Sequence, residues 1–130
     1  MPAATRTSIL VVDDDDHFRE TLSDAMALQD AEVHGATTCG EAMTRLRTGK
    51  APSIILLDVQ LPDMHGFDFC RMLKRSSRYR DIPVVLLSAR FTEPADLAEG
   101  LLTGAAAYLS KPVSLDALLE ELRYHLDMGA

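Results

Sequence analysis

Apolar positions along this chain follow two alternating rhythms. Short unbroken runs, Ile9 to Val12, Ser53 to Asp58 and Ile82 to Leu87, read as strands buried on both faces, the habit of a parallel sheet. Glu32 to Ala36 is a weaker second strand and Tyr108 to Ser110 a short fifth. Between them the spacing becomes helical. Asp16 caps a helix reaching about Gln29, with Phe18, Leu22, Ala25 and Met26 on one face. Thr38 or Cys39 begins a second helix that runs to Thr48 and closes at Gly49.

The turn "QLPDMHG" leads into a third helix, Phe67 to Ser76. Thr92 caps a fourth with Pro94 in its first turn. Ser114 caps a fifth whose inner face carries Leu115, Leu118, Leu119, Leu122 and Leu126. Pro83 sits near the start of the fourth strand, where a proline is tolerated. Strict alternation of five strands and five helices predicts an α/β fold: a parallel sheet with right-handed crossovers and helices on both faces.

Chemistry collects at three strand ends. Asp13 and Asp14 follow the first strand, Asp58 ends the third, and Lys111 follows the fifth. Open α/β sheets place their sites at the carboxyl ends of strands. An acidic pair, a lone aspartate and a lysine delivered there point to one site. Each has a blander reading. Asp13 to Asp16 would serve as a solvated capping loop, and Asp15 and Asp16 are read as that. Lys111 would serve as a loop lysine, Ser88 as turn chemistry, and Tyr108 as a half-buried packing residue. Convergence with Asp58 favours the site reading for Asp13, Asp14 and Lys111.

Composition changes the picture only by exclusion. The 130 residues suit one domain, 47 % hydrophobic and 25 % charged. A net charge of −7 argues against nucleic-acid binding by this chain. No apolar run approaches the roughly 20 residues that span a bilayer, and "MPAATRTS" lacks a signal peptide's apolar stretch. A cytoplasmic location without membrane contact is the expectation. Cys39 and Cys70 lack metal-ligand spacing and are expected to be reduced and inert. His17, His34, His65 and His125 are scattered, with no ligand pair among them.

The ordered motifs "VVDDD", "LLDVQLPDMHG", "IPVVLLSA", "GAAAY" and "KPV" closely resemble the receiver domain of two-component response regulators, from about Ser8 to Met128. The resemblance implies a flavodoxin-like, doubly wound sheet of order 2-1-3-4-5. It implies that residues 1–130 are one receiver domain, with no output domain following. Asp58 would be the phosphoacceptor. Asp13, Asp14, Asp58 and the backbone carbonyl of Gln60 would hold Mg²⁺. Lys111 would contact the phosphoryl group, Ser88 and Tyr108 would be switch residues, and Pro112 would follow a cis peptide bond.

The implied donor is a histidine kinase or histidine phosphotransfer protein. The implied reader is a downstream effector protein or an output domain of a longer regulator. No enzymatic activity is implied beyond the domain's own phosphorylation and dephosphorylation. Two departures stand out. One extra residue lies between Ser88 and Tyr108, in "ARFTEP", which unsettles the orientation of Arg90. Ala106 and Ala107 replace an acidic pair, which argues against the salt-bridged dimer built on it while leaving other oligomers open.

Two rival readings differ in class. A phosphatase of the haloacid dehalogenase type would carry a second aspartate where Gln60 stands. A degenerate receiver would act as a phosphorylation-independent interaction module, against which the retained Asp13, Asp14, Asp58, Ser88 and Lys111 argue.

Overall fold

A computed structural model describes residues 7–126 and realises the alternating pattern. The elements are β1 (Thr7–Val12), α1 (Asp16–Ala27), β2 (Ala31–Ala36), α2 (Cys39–Thr48), β3 (Ile54–Asp58), α3 (Gly66–Lys74), β4 (Val84–Ser88), α4 (Pro94–Leu102), β5 (Ala107–Ser110) and α5 (Leu115–His125). All five strands are parallel, in the order β2-β1-β3-β4-β5. The expected Met128 boundary lies outside the described residues.

The unbroken apolar runs follow from the layering. Successive side chains of a strand point to opposite faces, and both faces are covered. Leu10, Val12, Ile55, Leu57, Val84 and Leu86 pack with Ala42 and Leu46 of α2 and Phe67, Phe69 and Leu73 of α3. Ile9, Val11, Ile54, Leu56, Val85 and Leu87 pack with Leu22 and Met26 of α1 and Leu118 and Leu122 of α5. All five residues of β3 are buried, so a polar side chain placed there must be satisfied within the protein. Asp58 is the one such residue.

The differences from the sequence expectation lie at element ends. Asp15, not Asp16, caps α1, accepting from the Phe18 amide at 3.2 Å while Asp16 opens the helix. Glu93, not Thr92, caps α4, and the Asp96 carboxylate accepts from its amide at 3.1 Å. β4 starts at Val84, because Pro83 has no N–H to give and joins the ladder only by accepting from Ile55 at 2.9 Å. Leu115 is 40 % exposed rather than part of the core. As the first residue of α5 it has helical neighbours on one side only. No helix among the described residues is long and apolar enough to cross a membrane.

Candidate functional site

Parallel strands end together, so residues far apart in sequence meet at the carboxyl edge of the sheet. β1 and β3 are neighbours, and this brings Asp13 and Asp14 beside Asp58. One carboxylate oxygen from each of the three lies within 4.8 Å of the others. Asp13 and Asp58 are buried, whereas Asp14 is exposed. Lys111 reaches in from the end of β5. Its Nζ forms a salt bridge and hydrogen bond with Asp13 Oδ2 and lies 3.9 Å from Asp58 Oδ2. The same ammonium stands 4.7 Å from the centre of the Phe18 ring, a cation–π placement that sequence periodicity assigned only to packing.

Local backbone bonds hold the Asp13 and Asp58 carboxylates in place. Asp13 Oδ1 accepts from the Asp15 amide at 3.0 Å, and its carbonyl oxygen accepts from Arg19 Nη1 at 2.7 Å. Asp58 Oδ1 accepts from the Gln60 amide at 3.3 Å, which holds the Gln60 backbone beside this carboxylate. Gly66 opens α3 directly beneath this turn. A Cβ there would stand 2.5 Å from the Asp58 carbonyl oxygen, so only glycine allows the approach. The Lys111–Pro112 peptide bond is cis, and the Lys111 amide donates to the Ser88 carbonyl at 2.8 Å.

Electrostatics single out Asp58. Burial raises its pKa most, the negative charge of Asp13 adds to that, and Asp14 adds a smaller push. Lys111 and the Gln60 amide pull the other way, and the balance leaves the carboxyl at about 6 against an ordinary 3.8. Three mutually repelling carboxylates offering only hard oxygen donors are a set that a divalent cation relieves.

Phe91 links Ser88 to Tyr108. Ser88 ends β4, is buried, and its Oγ accepts from the amides of Arg90 at 3.2 Å and Phe91 at 2.8 Å. The Tyr108 hydroxyl donates to the Phe91 carbonyl. The Tyr108 ring lies edge-on to Phe67, centroids 6.0 Å apart, against the buried Gly100 of α4. Burial raises the Tyr108 phenol pKa. Phe91, Arg19 and Asp63 were missed by sequence reasoning, because each acts on or through the backbone.

Asp63 lies at the tip of the loop between β3 and α3 and accepts from the first two amides of α2. The bonds run from Cys39 N and Gly40 N, at 2.9 Å each. These bonds, the Cys39 amide first, hold the Asp63 carboxyl below its ordinary range. Burial, then the nearby Asp63 charge, pushes the Cys39 thiol up to about 12. Burial likewise raises Cys70, and both cysteines are free. His65 is exposed, and its Nδ1 caps α3 by accepting from the Phe67 amide at 3.1 Å.

Comparison with known proteins agrees with this geometry. A family model described as the response regulator receiver domain matches residues 9–123. The transcriptional regulatory protein AfsQ1 of Streptomyces coelicolor is 35 % identical over 122 residues, which cover 94 % of this chain and 52 % of that protein. The DNA-binding response regulator MtrA of Mycolicibacterium paratuberculosis is 37 % identical over 123 residues, covering 93 % of this chain and 52 % of that one. The chain thus spans about half the length of these curated relatives. The chemotaxis response regulator CheY4 of Vibrio cholerae superposes with a TM-score of 0.85 at 30 % identity, covering 94 % of this chain and 100 % of that one. Strand order, sequence match and the three converging strand ends agree: the chain belongs to the response regulator receiver domain family of two-component systems.

Proposed function

We propose that this receiver accepts a phosphoryl group on Asp58 from the phosphohistidine of a histidine kinase or phosphotransfer protein. The observation that carries the reading is a buried carboxylate at the end of β3, faced by two further carboxylates and a lysine. An Asp58 carboxylate oxygen forms the new P–O bond as the P–N bond breaks, and the imidazole keeps the electron pair and takes a proton. Positioning and charge stabilisation do most of the work in such transfers. Lys111, already directed at Asp13 and Asp58, neutralises charge on the incoming phosphoryl oxygens. The domain is a signalling module and turns over no separate substrate.

Asp13, Asp14, Asp58 and the Gln60 carbonyl would hold Mg²⁺, which suits an all-oxygen set of this kind. When bound, Mg²⁺ supplies positive charge that offsets the clustered carboxylates and the phosphoryl oxygens. The switch then runs through the chain's own hydrogen bonds. A phosphoryl group on Asp58 offers strong acceptors. The Ser88 hydroxyl turns to donate to one of them and releases the amides of Arg90 and Phe91. Phe91 also holds the Tyr108 hydroxyl, so its release frees the ring to move. The surface of α4, β5 and α5 is the part a downstream effector or output domain would read.

The test is phosphorylation by acetyl phosphate with Mg²⁺, followed by intact-mass measurement. Wild type is expected to gain one phosphoryl group and Asp14→Ala to gain none at the same Mg²⁺ concentration. An unaltered phosphorylation level in Asp14→Ala would overturn the metal assignment.

A further inference from the structure

The loop from Gln60 to His65 carries the Gln60 carbonyl, the only backbone group assigned to the metal set. Its base is closed by the bridge between Gln60 and His65 and by the Gly66 amide donating to the Val59 carbonyl at 2.7 Å. Leu61 tucks into the core beside α2 and α3. The tip, Asp63, is exposed and would be free to swing, but its two carboxylate oxygens take one α2 amide each: Oδ1 from Cys39 and Oδ2 from Gly40, both at 2.9 Å. A bond of each oxygen to a separate amide fixes both the position and the orientation of the carboxylate. The bonds span 24 and 23 residues, so they join the β3–α3 loop to the first turn of α2.

Capping alone does not explain this arrangement. α2 already has its own cap, since Thr38 Oγ1 accepts from the Glu41 amide at 3.0 Å. Asp63 adds the two amides that Thr38 does not reach. The partner groups are backbone amides at a helix N-terminus, where an ionised carboxylate is favoured. The lowered Asp63 carboxyl pKa agrees with a bond made by the charged form.

We propose that Asp63 is a positioning residue for the acidic site, clamping the β3–α3 loop to α2 so that the Gln60 carbonyl stays in place for a divalent cation. The inference rests on the functional reading above, in which that carbonyl is a metal ligand. Asp63 touches neither the cation nor the phosphoryl group. Its effect is on the fraction of time the loop presents the carbonyl correctly, and such outer partners commonly change metal affinity.

The experiment is calorimetric titration of MgCl₂ into the whole chain as wild type, Asp63→Ala, Asp63→Asn, Thr38→Ala and Asp14→Ala, with thermal unfolding of each. Asp63→Ala is expected to weaken Mg²⁺ binding about tenfold, the low end for an outer partner. Asp63→Asn keeps one acceptor oxygen for one of the two amides and is expected to recover part of that loss. Thr38→Ala removes a cap from the same helix without freeing the loop, so it should lower Tm and leave Mg²⁺ affinity unchanged. Phosphorylation of Asp63→Ala by acetyl phosphate should need more Mg²⁺ for half-maximal rate, yet reach a near-normal rate at saturation.

If Asp63→Ala loses thermal stability as Thr38→Ala does while binding Mg²⁺ within about twofold of wild type, Asp63 is a helix cap and the clamp is refuted. Wild type that takes up no Mg²⁺, or Asp14→Ala that binds as well as wild type, would refute the functional reading and the clamp with it. The two failures are therefore distinguishable.

Discussion

Replacing Asp58 by Asn should stabilise the protein in the absence of divalent cations. The folded carboxyl titrates at about 6 and an ordinary aspartate at 3.8, chiefly because the folded one is buried and then because Asp13 faces it. A group that binds its proton more tightly when folded favours the folded state only while it is protonated. That contribution is complete below about pH 4 and is lost as pH rises through 6. At 1.36 kcal/mol per pKa unit, the ionised Asp58 costs about 3 kcal/mol at pH 7.5 and about 1 kcal/mol at pH 4.5. Asn carries no charge at either pH, and its side-chain oxygen can still accept from the Gln60 amide.

Urea unfolding of wild type and Asp58→Asn, in chelator at both pH values, reads this difference directly. The variant should be more stable by about 2–3 kcal/mol at pH 7.5, with the gap narrowing by roughly 2 kcal/mol at pH 4.5. Excess Mg²⁺ should then raise wild type more than the variant, since a ligand stabilises the state that binds it. A variant less stable than wild type at pH 7.5, or a gap that ignores pH, would refute the claim that Asp58 is held ionised at a cost.

Three further predictions follow from the same packing. Lys111→Met leaves Asp13 buried without its cation and should destabilise the fold by about 3–5 kcal/mol in urea unfolding. An Asp13→Asn second change should recover much of that loss, and simple additivity would count against the pairing. Gly66→Ala drives a Cβ against the Asp58 carbonyl oxygen and Val59 Cα, 2.5 and 2.7 Å away, so it should lower stability by about 2 kcal/mol or more and impair phosphorylation of Asp58. Leu56→Ala, fully buried in the centre of the sheet, should cost about 2–5 kcal/mol without altering Mg²⁺ affinity, a split that separates core loss from site loss.

How much of this was legible in the sequence depended on what kind of group carried each feature. β1, β3 and β4 declare themselves because burial on both faces forces unbroken apolar runs. β2 and β5 are the edge strands, and β5 has no fully buried residue, so its pattern is weak. The acidic cluster and Lys111 were legible from side-chain type and strand-end position. Lys111 and Asp13 stand 98 residues apart, yet both immediately follow strands of one parallel sheet.

What escaped lay chiefly in hydrogen bonds made to or by main-chain groups, the Gln60 carbonyl and the cis bond before Pro112 having been legible only through the family resemblance. Asp63 binds two amides, Arg19 binds the Asp13 carbonyl, and Phe91 links Ser88 to Tyr108 by its own amide and carbonyl. A backbone partner leaves no residue type for a pattern to register. Cap identities slipped by one residue for a related reason. Several acids in a row can each cap α1, and the choice of Asp15 is made by chain geometry.

The central claim is that Asp58 takes the phosphoryl group. The most direct measurement is intact mass of wild type and Asp58→Asn after incubation with Mg²⁺ and acetyl phosphate, with peptide mapping of any product. A gain of one phosphoryl group in wild type, mapped to the peptide containing Asp58 and absent from the variant, is the predicted result. An equal gain in both proteins would contradict it.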